Sequence, residues 1–292
     1  MKTILVTGAN GQLGNALRRL AWQYDGRYTF LFTDIDSLDI GDRTAIQACI
    51  QSNAVRYVIN CAAYTAVDRA EEDEERCLKI NRDAVRYLGE AVAGAGIKLI
   101  HISTDYVYDG TNSLPYVETD YTCPMSAYGR SKLAGERALQ DVCPDAGIIL
   151  RTSWLYSGFG NNFVDTILRL AKEREELRVV SDQIGTPTCA GDLASAILSI
   201  IGSAEAGNFY PGIFHYSNEG VCSWYDFALK IVRFAQVNCR VLPIDTTDYP
   251  TRAIRPQYSV LNKRKIKETY HLAIPHWEES LECMLHTLKE ER

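Results

Sequence analysis

Lys2-Thr3-Ile4-Leu5-Val6-Thr7-Gly8-Ala9-Asn10-Gly11-Gln12-Leu13-Gly14 decides the fold. Residues 2–6 are a short, largely apolar and β-branched run, the pattern of a buried strand. Three glycines at a spacing of three follow, and Ala16-Leu17-Arg18-Arg19-Leu20 then has the pattern of an amphipathic helix. A strand, a glycine turn and a helix in this order are the context of a dinucleotide site. The first glycine allows backbone angles closed to other residues. The second lets the backbone approach a pyrophosphate, and the third lets helix and strand pack closely. The helix start offers free N–H groups and a positive dipole end to phosphates. Gly8, Asn10, Gly11, Gln12, Leu13 and Gly14 are therefore candidate cofactor-binding residues.

Strand and helix patterns alternate from there. Strands are expected at 28–32, 57–60, 98–102 and 148–150, and helices at 45–50, 67–93 and 127–142. Such alternation implies an α/β fold with a doubly wound parallel sheet of Rossmann type, covered on both faces. Ligands in these sheets sit beyond the carboxyl ends of the strands. Asp34, Ala62, Ala63 and Tyr64 stand at those ends, as do Ser103, Thr104 and Asp105. Asp39, Ile40 and Thr65 extend the candidate cofactor stretch. The second half is richer in turn signals, such as 157–162 and 210–212, which suits a smaller substrate-binding domain. The division is placed at residues 1–150 and 151–292, with a helix near 186–202 returning to the first domain.

Composition excludes several classes. The 292 residues allow one large domain or two modest ones, at roughly 150 residues per domain. A net charge of −6 argues against a nucleic-acid partner. No apolar run approaches the roughly eighteen residues of a membrane span. The first strand follows Met1 with no apolar leader, so a cytoplasmic protein is expected. The nine cysteines include no Cys-x-x-Cys pair and read as free thiols in a reducing compartment. The acidic run 71–75 suits the start of a helix, where carboxylates favour the macrodipole, and no metal site is expected.

Tyr128-Gly129-Arg130-Ser131-Lys132 opens a helical pattern, which puts Tyr128 and Lys132 on one face. A phenol with a pKa of about 10 is a poor acid–base group at neutral pH, and a neighbouring ammonium lowers that value. A shift toward the working pH speeds proton transfer. Thr104, at a strand end bordering the same crevice, can hydrogen-bond a substrate carbonyl. Glycine turn, strand-end Thr and Tyr-x-x-x-Lys in this order make a joint signal of a dinucleotide-dependent active site, with Thr104, Tyr128 and Lys132 as the candidate catalytic residues. Tyr128 and Lys132 also count among the cofactor contacts.

These residues resemble an extended short-chain dehydrogenase/reductase, and more closely the dTDP-4-dehydrorhamnose reductase family. The resemblance runs nearly end to end. It includes Asn60–Asp68, Ser103–Gly110, Tyr128–Glu136, Arg151–Tyr156, Gly160–Phe163, Asp182–Thr188 and Arg255-Pro256. It implies reduction of the C4 ketone of dTDP-4-dehydro-L-rhamnose, with NADPH or NADH as cofactor. Tyr128 would donate the proton, Lys132 would hold the nicotinamide ribose, and Thr104 would orient the carbonyl. Asp105 and Trp154 would contact the sugar, and Asn161, Asn162 and Arg255 the nucleotide or pyrophosphate.

Two departures refine the resemblance. Related 4,6-dehydratases carry Asp-Glu after the strand-end Thr, whereas Thr104 is followed by Asp105-Tyr106. The core motif leaves a 4-epimerase open, but the narrower segments disfavour it. A non-catalytic regulatory subunit of the same fold is a further alternative, against which the intact Thr104, Tyr128 and Lys132 argue. Some relatives dimerise through magnesium held by an acid two residues after the third glycine; here that position is Ala16, so no metal-bridged dimer is expected. A homodimer of another kind stays open. Asp34 suits a ribose 2′-hydroxyl; a 2′-phosphate contact is open to Arg43, though a solvated side chain is the favoured reading there. The choice between NADH and NADPH stays open too.

Overall fold

The computed structural model describes residues 1–290, so the last two positions of the expected 151–292 domain lie outside the described residues. In chain order the strands are β1 (Lys2–Thr7), β2 (Tyr28–Phe32), β3 (Val55–Asn60), β4 (Lys98–Thr104), β5 (Gly147–Thr152) and β6 (Leu155–Tyr156). They continue with β7 (Glu176–Val180), β8 (Ile184–Gly185), β9 (Thr188–Cys189), β10 (Gly212–His215), β11 (Cys222–Ser223) and β12 (Arg240–Ile244). The helices are α1 (Gln12–Ala21), α2 (Arg43–Ser52), α3 (Val67–Ala70), α4 (Glu74–Leu78), α5 (Ala84–Val92) and α6 (Ala127–Val142). After these come α7 (Phe163–Glu173), α8 (Ala190–Glu205), α9 (Trp224–Ala235), α10 (Arg264–Tyr270) and α11 (Trp277–Glu290).

Six strands form one parallel sheet in the order β10-β5-β4-β3-β1-β2. Side chains alternate between its faces with the period of two that a strand imposes. Ile4, Val6, Ile59, Ile100 and Ile148 pack beneath α1, α8 and α10. Leu5, Val58, Leu99 and Ile149 pack beneath α2, α5 and α6. Both faces are thus buried, which is why the strands read as continuous apolar runs. A third core joins α7, α9 and α11 to the β7–β12 pair. The chain leaves β1 for β2 on one side and returns to β3 on the other. This reversal opens a crevice at the strand ends, between Gly8 and Ala62.

The expected single helix over 67–93 is instead α3, α4 and α5, broken at 71–73 and widened into a π-helical segment at Lys79–Asp83. The break frees the acidic side chains for tertiary contacts. Glu71 accepts from the backbone N–H of Ala127 at 2.8 Å, at the start of α6. Glu72 pairs with Arg252, and Glu74 with Arg130 at 3.2 Å. Only Glu74 and Glu75 lie in a helical first turn. β10 is the element least visible in the sequence, since it joins the sheet edge beside β5 from sixty residues downstream. The nine cysteines are free thiols, and among the described residues no helix is long and apolar enough to cross a membrane.

Candidate active site

One continuous cleft of about 1560 Å³ runs along the carboxyl ends of the strands. It starts at the glycine turn. Gly8 has φ +63°, and a Cβ there would stand 2.6 Å from the Ala62 backbone. Gly14 abuts Ala9, where a Cβ would come within 2.4 Å of the Ala9 Cα, so it lets α1 approach β1 and does not line the cleft. Gly11 caps α1 without a side-chain hydrogen bond to the first N–H groups. The helix therefore presents unfilled donors at a cradle that side chains would obstruct, which fits the pyrophosphate of a dinucleotide. Gln12 and Leu13 line this end. The Gln12 amide donates to the Leu155 carbonyl at 3.2 Å and accepts from the Ser157 hydroxyl at 3.1 Å, tying α1 to the second half of the chain.

Asp34, at the end of β2, lines the cleft with Asp39 and Ile40. Its carboxylate accepts from the backbone N–H groups of Asn10 and Ile35, both at 2.9 Å. Asn10 itself is exposed and shapes the turn without lining the cleft. Arg43 turns to Glu90, 3.0 Å away, and takes no part in the lining. Ala62, Ala63 and Thr65 border the crevice at the end of β3. Tyr64 does not. Its backbone N–H and carbonyl are both engaged by the Asn81 side chain, and its ring packs toward Cys77 and Ala127.

Thr104, Asp105, Tyr128 and Lys132 meet at the middle of the cleft. Ser126 and Glu71 fix the start of α6 by accepting from Gly129 N–H and Ala127 N–H. Tyr106 holds the Tyr128 ring edge-on, with centroids 5.6 Å apart. The Thr104 hydroxyl donates to Asp105 Oδ1 at 3.0 Å and accepts from the Tyr106 N–H at 3.2 Å. Asp105 is 2% exposed, and its Oδ2 lacks a well-formed hydrogen bond. Burial pushes this carboxyl up to about 6.

One expectation needs correction. Lys132 does not lower the pKa of Tyr128 in this state. Burial raises the phenol, the Thr104 hydroxyl beside it pulls it down, and the Asp105 charge raises it further. The Lys132 ammonium instead donates to the Ile102 carbonyl at 2.6 Å. A buried cation takes the strongest acceptor within reach, and here that acceptor lies on β4. Burial pushes Lys132 itself down to about 8, opposed by the charge of Glu136 one turn along α6.

Trp154, Asn161, Asn162 and Arg255 also line the cleft, with the loop of Asn161 and Asn162 lying beside Gln12. Trp154 adopts φ +46° and stacks face to face on Trp224, with centroids 3.5 Å apart. Asn162 caps α7, accepting from Asp165 N–H at 3.2 Å and donating to the Ser157 carbonyl at 2.9 Å. Asn161 is exposed. The Arg255 guanidinium forms a two-pronged pair with Asp68, at 3.1 and 2.7 Å, which holds the Asp68 carboxyl below its ordinary range. The sequence reading missed Trp224, Tyr106 and Arg178, which also line the cleft. Tyr106 sits next to Asp105 and was open to the strand-end argument; Trp224 and Arg178 carry no local signal.

The chain matches a family model described as RmlD substrate binding domain over residues 1–290. It is 43% identical over 288 residues to the dTDP-4-dehydrorhamnose reductase of Aggregatibacter actinomycetemcomitans, covering 96% of this chain and 97% of that one. A dTDP-4-dehydrorhamnose reductase from Bacillus anthracis, solved in complex with NADP, superposes with a TM-score of 0.92 at 39% identity, over 98% of this chain and 100% of that one. Another from Clostridium acetobutylicum gives 0.91 at 40% identity, over 98% and 99% of the two chains. A glycine cradle, a Thr-Tyr-Lys cluster and likeness along the whole length agree: the chain belongs to the dTDP-4-dehydrorhamnose reductase family.

Proposed function

We propose that this chain reduces the C4 ketone of dTDP-4-dehydro-L-rhamnose to give dTDP-L-rhamnose, a precursor for cell-surface polysaccharide. The observation that carries the reading is the single cleft, which joins the glycine cradle to Thr104, Tyr128 and Trp154 without interruption. Its volume exceeds the roughly 1000 Å³ upper range of ordinary ligand pockets, as two large ligands end to end require. NADPH or NADH supplies a hydride when bound. The Bacillus anthracis relative was solved with NADP, and the Asp34 carboxylate, which lines the cleft, would accept from the 2′-hydroxyl of NADH.

The chain's own residues handle binding and the proton. Gly8, Gly11 and the open start of α1 hold the pyrophosphate, and Lys132 holds the ribose. Thr104 exchanges its Asp105 acceptor for the substrate carbonyl and so orients it. Tyr128 donates its proton to the oxygen at C4 as negative charge develops there. Its raised pKa keeps it protonated at neutral pH, the state a proton donor must start from. Asp105 and Trp154 contact the sugar, while Asn161, Asn162 and Arg255 face the nucleotide. Residues 1–150, with the helix near 186–202, form the cofactor domain, and residues from 151 onward mainly the substrate domain. The setting is the cytoplasm, and a homodimer is an assembly compatible with this reading.

The test is to incubate the purified protein with dTDP-4-dehydrorhamnose and NAD(P)H and to identify the product by NMR. The expected product is dTDP-L-rhamnose, with one NAD(P)H oxidised per sugar. An epimerised keto sugar without net cofactor oxidation would replace this reading with an epimerase. No turnover, together with tight binding to another protein, would favour the regulatory subunit.

A further inference from the structure

Behind the cleft, the ends of β1, β3 and β4 share a buried polar chain that leads to Lys132. The Thr7 hydroxyl donates to Asn60 Oδ1 at 2.7 Å. The Ala62 backbone N–H donates to the same oxygen at 3.2 Å. Asn60 Nδ2 lies 3.0 Å from His101 Nδ1, and His101 Nε2 lies 3.4 Å from the Lys132 ammonium. His101 and Asn60 are at most 1% exposed, and Lys132 is 2% exposed.

The proton positions follow from what each group can do. A backbone N–H only donates, so the atom of Asn60 facing Ala62 is the carbonyl oxygen. The Asn60 amide nitrogen then faces His101 and donates to its Nδ1. Burial, and then the charge of Lys132, hold the imidazole neutral far below its ordinary pKa. A neutral imidazole carries one proton, and with Nδ1 accepting, that proton is on Nε2. The His101 N–H therefore points at an ammonium that has no lone pair to offer it.

Lys132 is thus held by one strong acceptor, the Ile102 carbonyl, while its other neighbour is a donor. The remaining groups that face it are Glu136 on its own helix, Cys77 on α4 and Cys61 after β3. Glu136 is committed to Arg151 and Ser103, and burial holds both thiols in their neutral form. None of them replaces the missing acceptor.

We propose that His101 is a positioning residue for Lys132: locked by Asn60 with its Nε2–H toward the ammonium, it denies the retracted lysine a second acceptor and keeps it free to move onto the cofactor ribose. The hydroxyls of a bound ribose supply the acceptors that the interior withholds. The inference rests on the reading that Lys132 holds the ribose.

The test uses the full-length protein without cofactor. Imidazole ¹⁵N NMR, with His101→Gln to assign the signal, should show His101 neutral and protonated on Nε2 from about pH 6 to about pH 9. His101→Glu puts a carboxylate oxygen where the Nε2–H stood, offers Lys132 the withheld acceptor, and should weaken NADPH binding about 5–10-fold, with kcat changed less. His101→Gln, whose amide can accept from Asn60 and donate toward Lys132, should bring NADPH binding back to within about 2-fold of the native protein. A proton on Nδ1 would overturn the proposal, because Nε2 would then accept from Lys132 and hold it. Unchanged NADPH binding in His101→Glu, alongside weakened binding in Lys132→Ala, would also overturn it and leave the site reading intact. Unchanged binding and turnover in Lys132→Ala would instead remove Lys132 from the site.

Discussion

Arg151 lies against both carboxylate oxygens of Glu136, with Nε 2.9 Å from Oε1 and Nη2 2.6 Å from Oε2, and neither side chain is more than 2% exposed. Arg151 belongs to β5 and Glu136 to α6, so the pair joins the helix of Tyr128 and Lys132 to the sheet. The Ser103 hydroxyl donates to the same carboxylate, and Arg151 Nη1 donates to the Tyr108 hydroxyl at 2.7 Å. Ser103 immediately precedes Thr104. The strand that ends in Thr104 and the helix of Tyr128 and Lys132 are thereby fixed to one buried ion pair.

Breaking that pair from one side strands a charge in the interior, which costs about 3–5 kcal/mol. Arg151→Met or Glu136→Leu alone should lower the unfolding free energy by that order. The double substitution removes both charges and should recover much of the loss. Urea unfolding of the four proteins closes the cycle. Additive losses in the double variant would show that the two residues stabilise the fold independently.

The pH dependence of cofactor capture follows from Lys132. Burial lowers this ammonium to about 8, so its charge is present below that value and is lost as pH rises through it. Because kcat/KM reports the free enzyme, kcat/KM for NADPH should fall above about pH 8 with the slope of one proton. Lys132→Arg keeps its charge and should abolish that limb, whatever its absolute activity. A native profile flat to about pH 10, the ordinary lysine range, would show that Lys132 titrates normally.

The legible parts of this molecule are those written in local spacing. The glycine turn, the strand-end positions of Asp34, Ala62 and Thr104, and the single helical face of Tyr128 and Lys132 each need only a few consecutive residues. The illegible parts are set by contacts between distant segments. Tyr64 leaves the cleft because Asn81, seventeen residues later, satisfies both of its backbone groups. The helix expected over 67–93 breaks because Glu71 is used at Ala127. The spacing places Lys132 beside Tyr128, but whether its ammonium turns to the phenol or to Ile102 depends on which acceptor β4 brings near. Trp224 reaches Trp154 from seventy residues away, and no periodicity encodes that.

The Trp154 stack can be tested through its floor. A Cβ at Gly185 would stand 2.5 Å from Trp154 Cε2, and the indole is also held by its stack on Trp224. The backbone of Trp154 is already in the left-handed region, which a bulky residue rarely occupies. Gly185→Ala should therefore displace the indole and cost about 1–3 kcal/mol of stability. If Trp154 contacts the sugar, the KM for the keto sugar should rise while the dissociation constant for NADPH stays unchanged. An equal loss in both would mean that the stack supports the whole cleft and not the sugar end.

The proton donor is tested most directly at Tyr128. Tyr128→Phe keeps the ring against Tyr106 and removes only the hydroxyl, so the fold and the glycine cradle should be unaffected. General acid catalysis contributes about 10²–10⁴-fold, and kcat should fall by that factor while NADPH binding is retained. Thr104→Val removes the hydroxyl beside the phenol and, by the same logic, should lower kcat less than Tyr128→Phe does. The two substitutions act on one transition state, so their effects should fall short of multiplying when combined. Near-native turnover in Tyr128→Phe would assign the proton to another group. The half-buried phenol would then be a packing residue in the middle of the cleft.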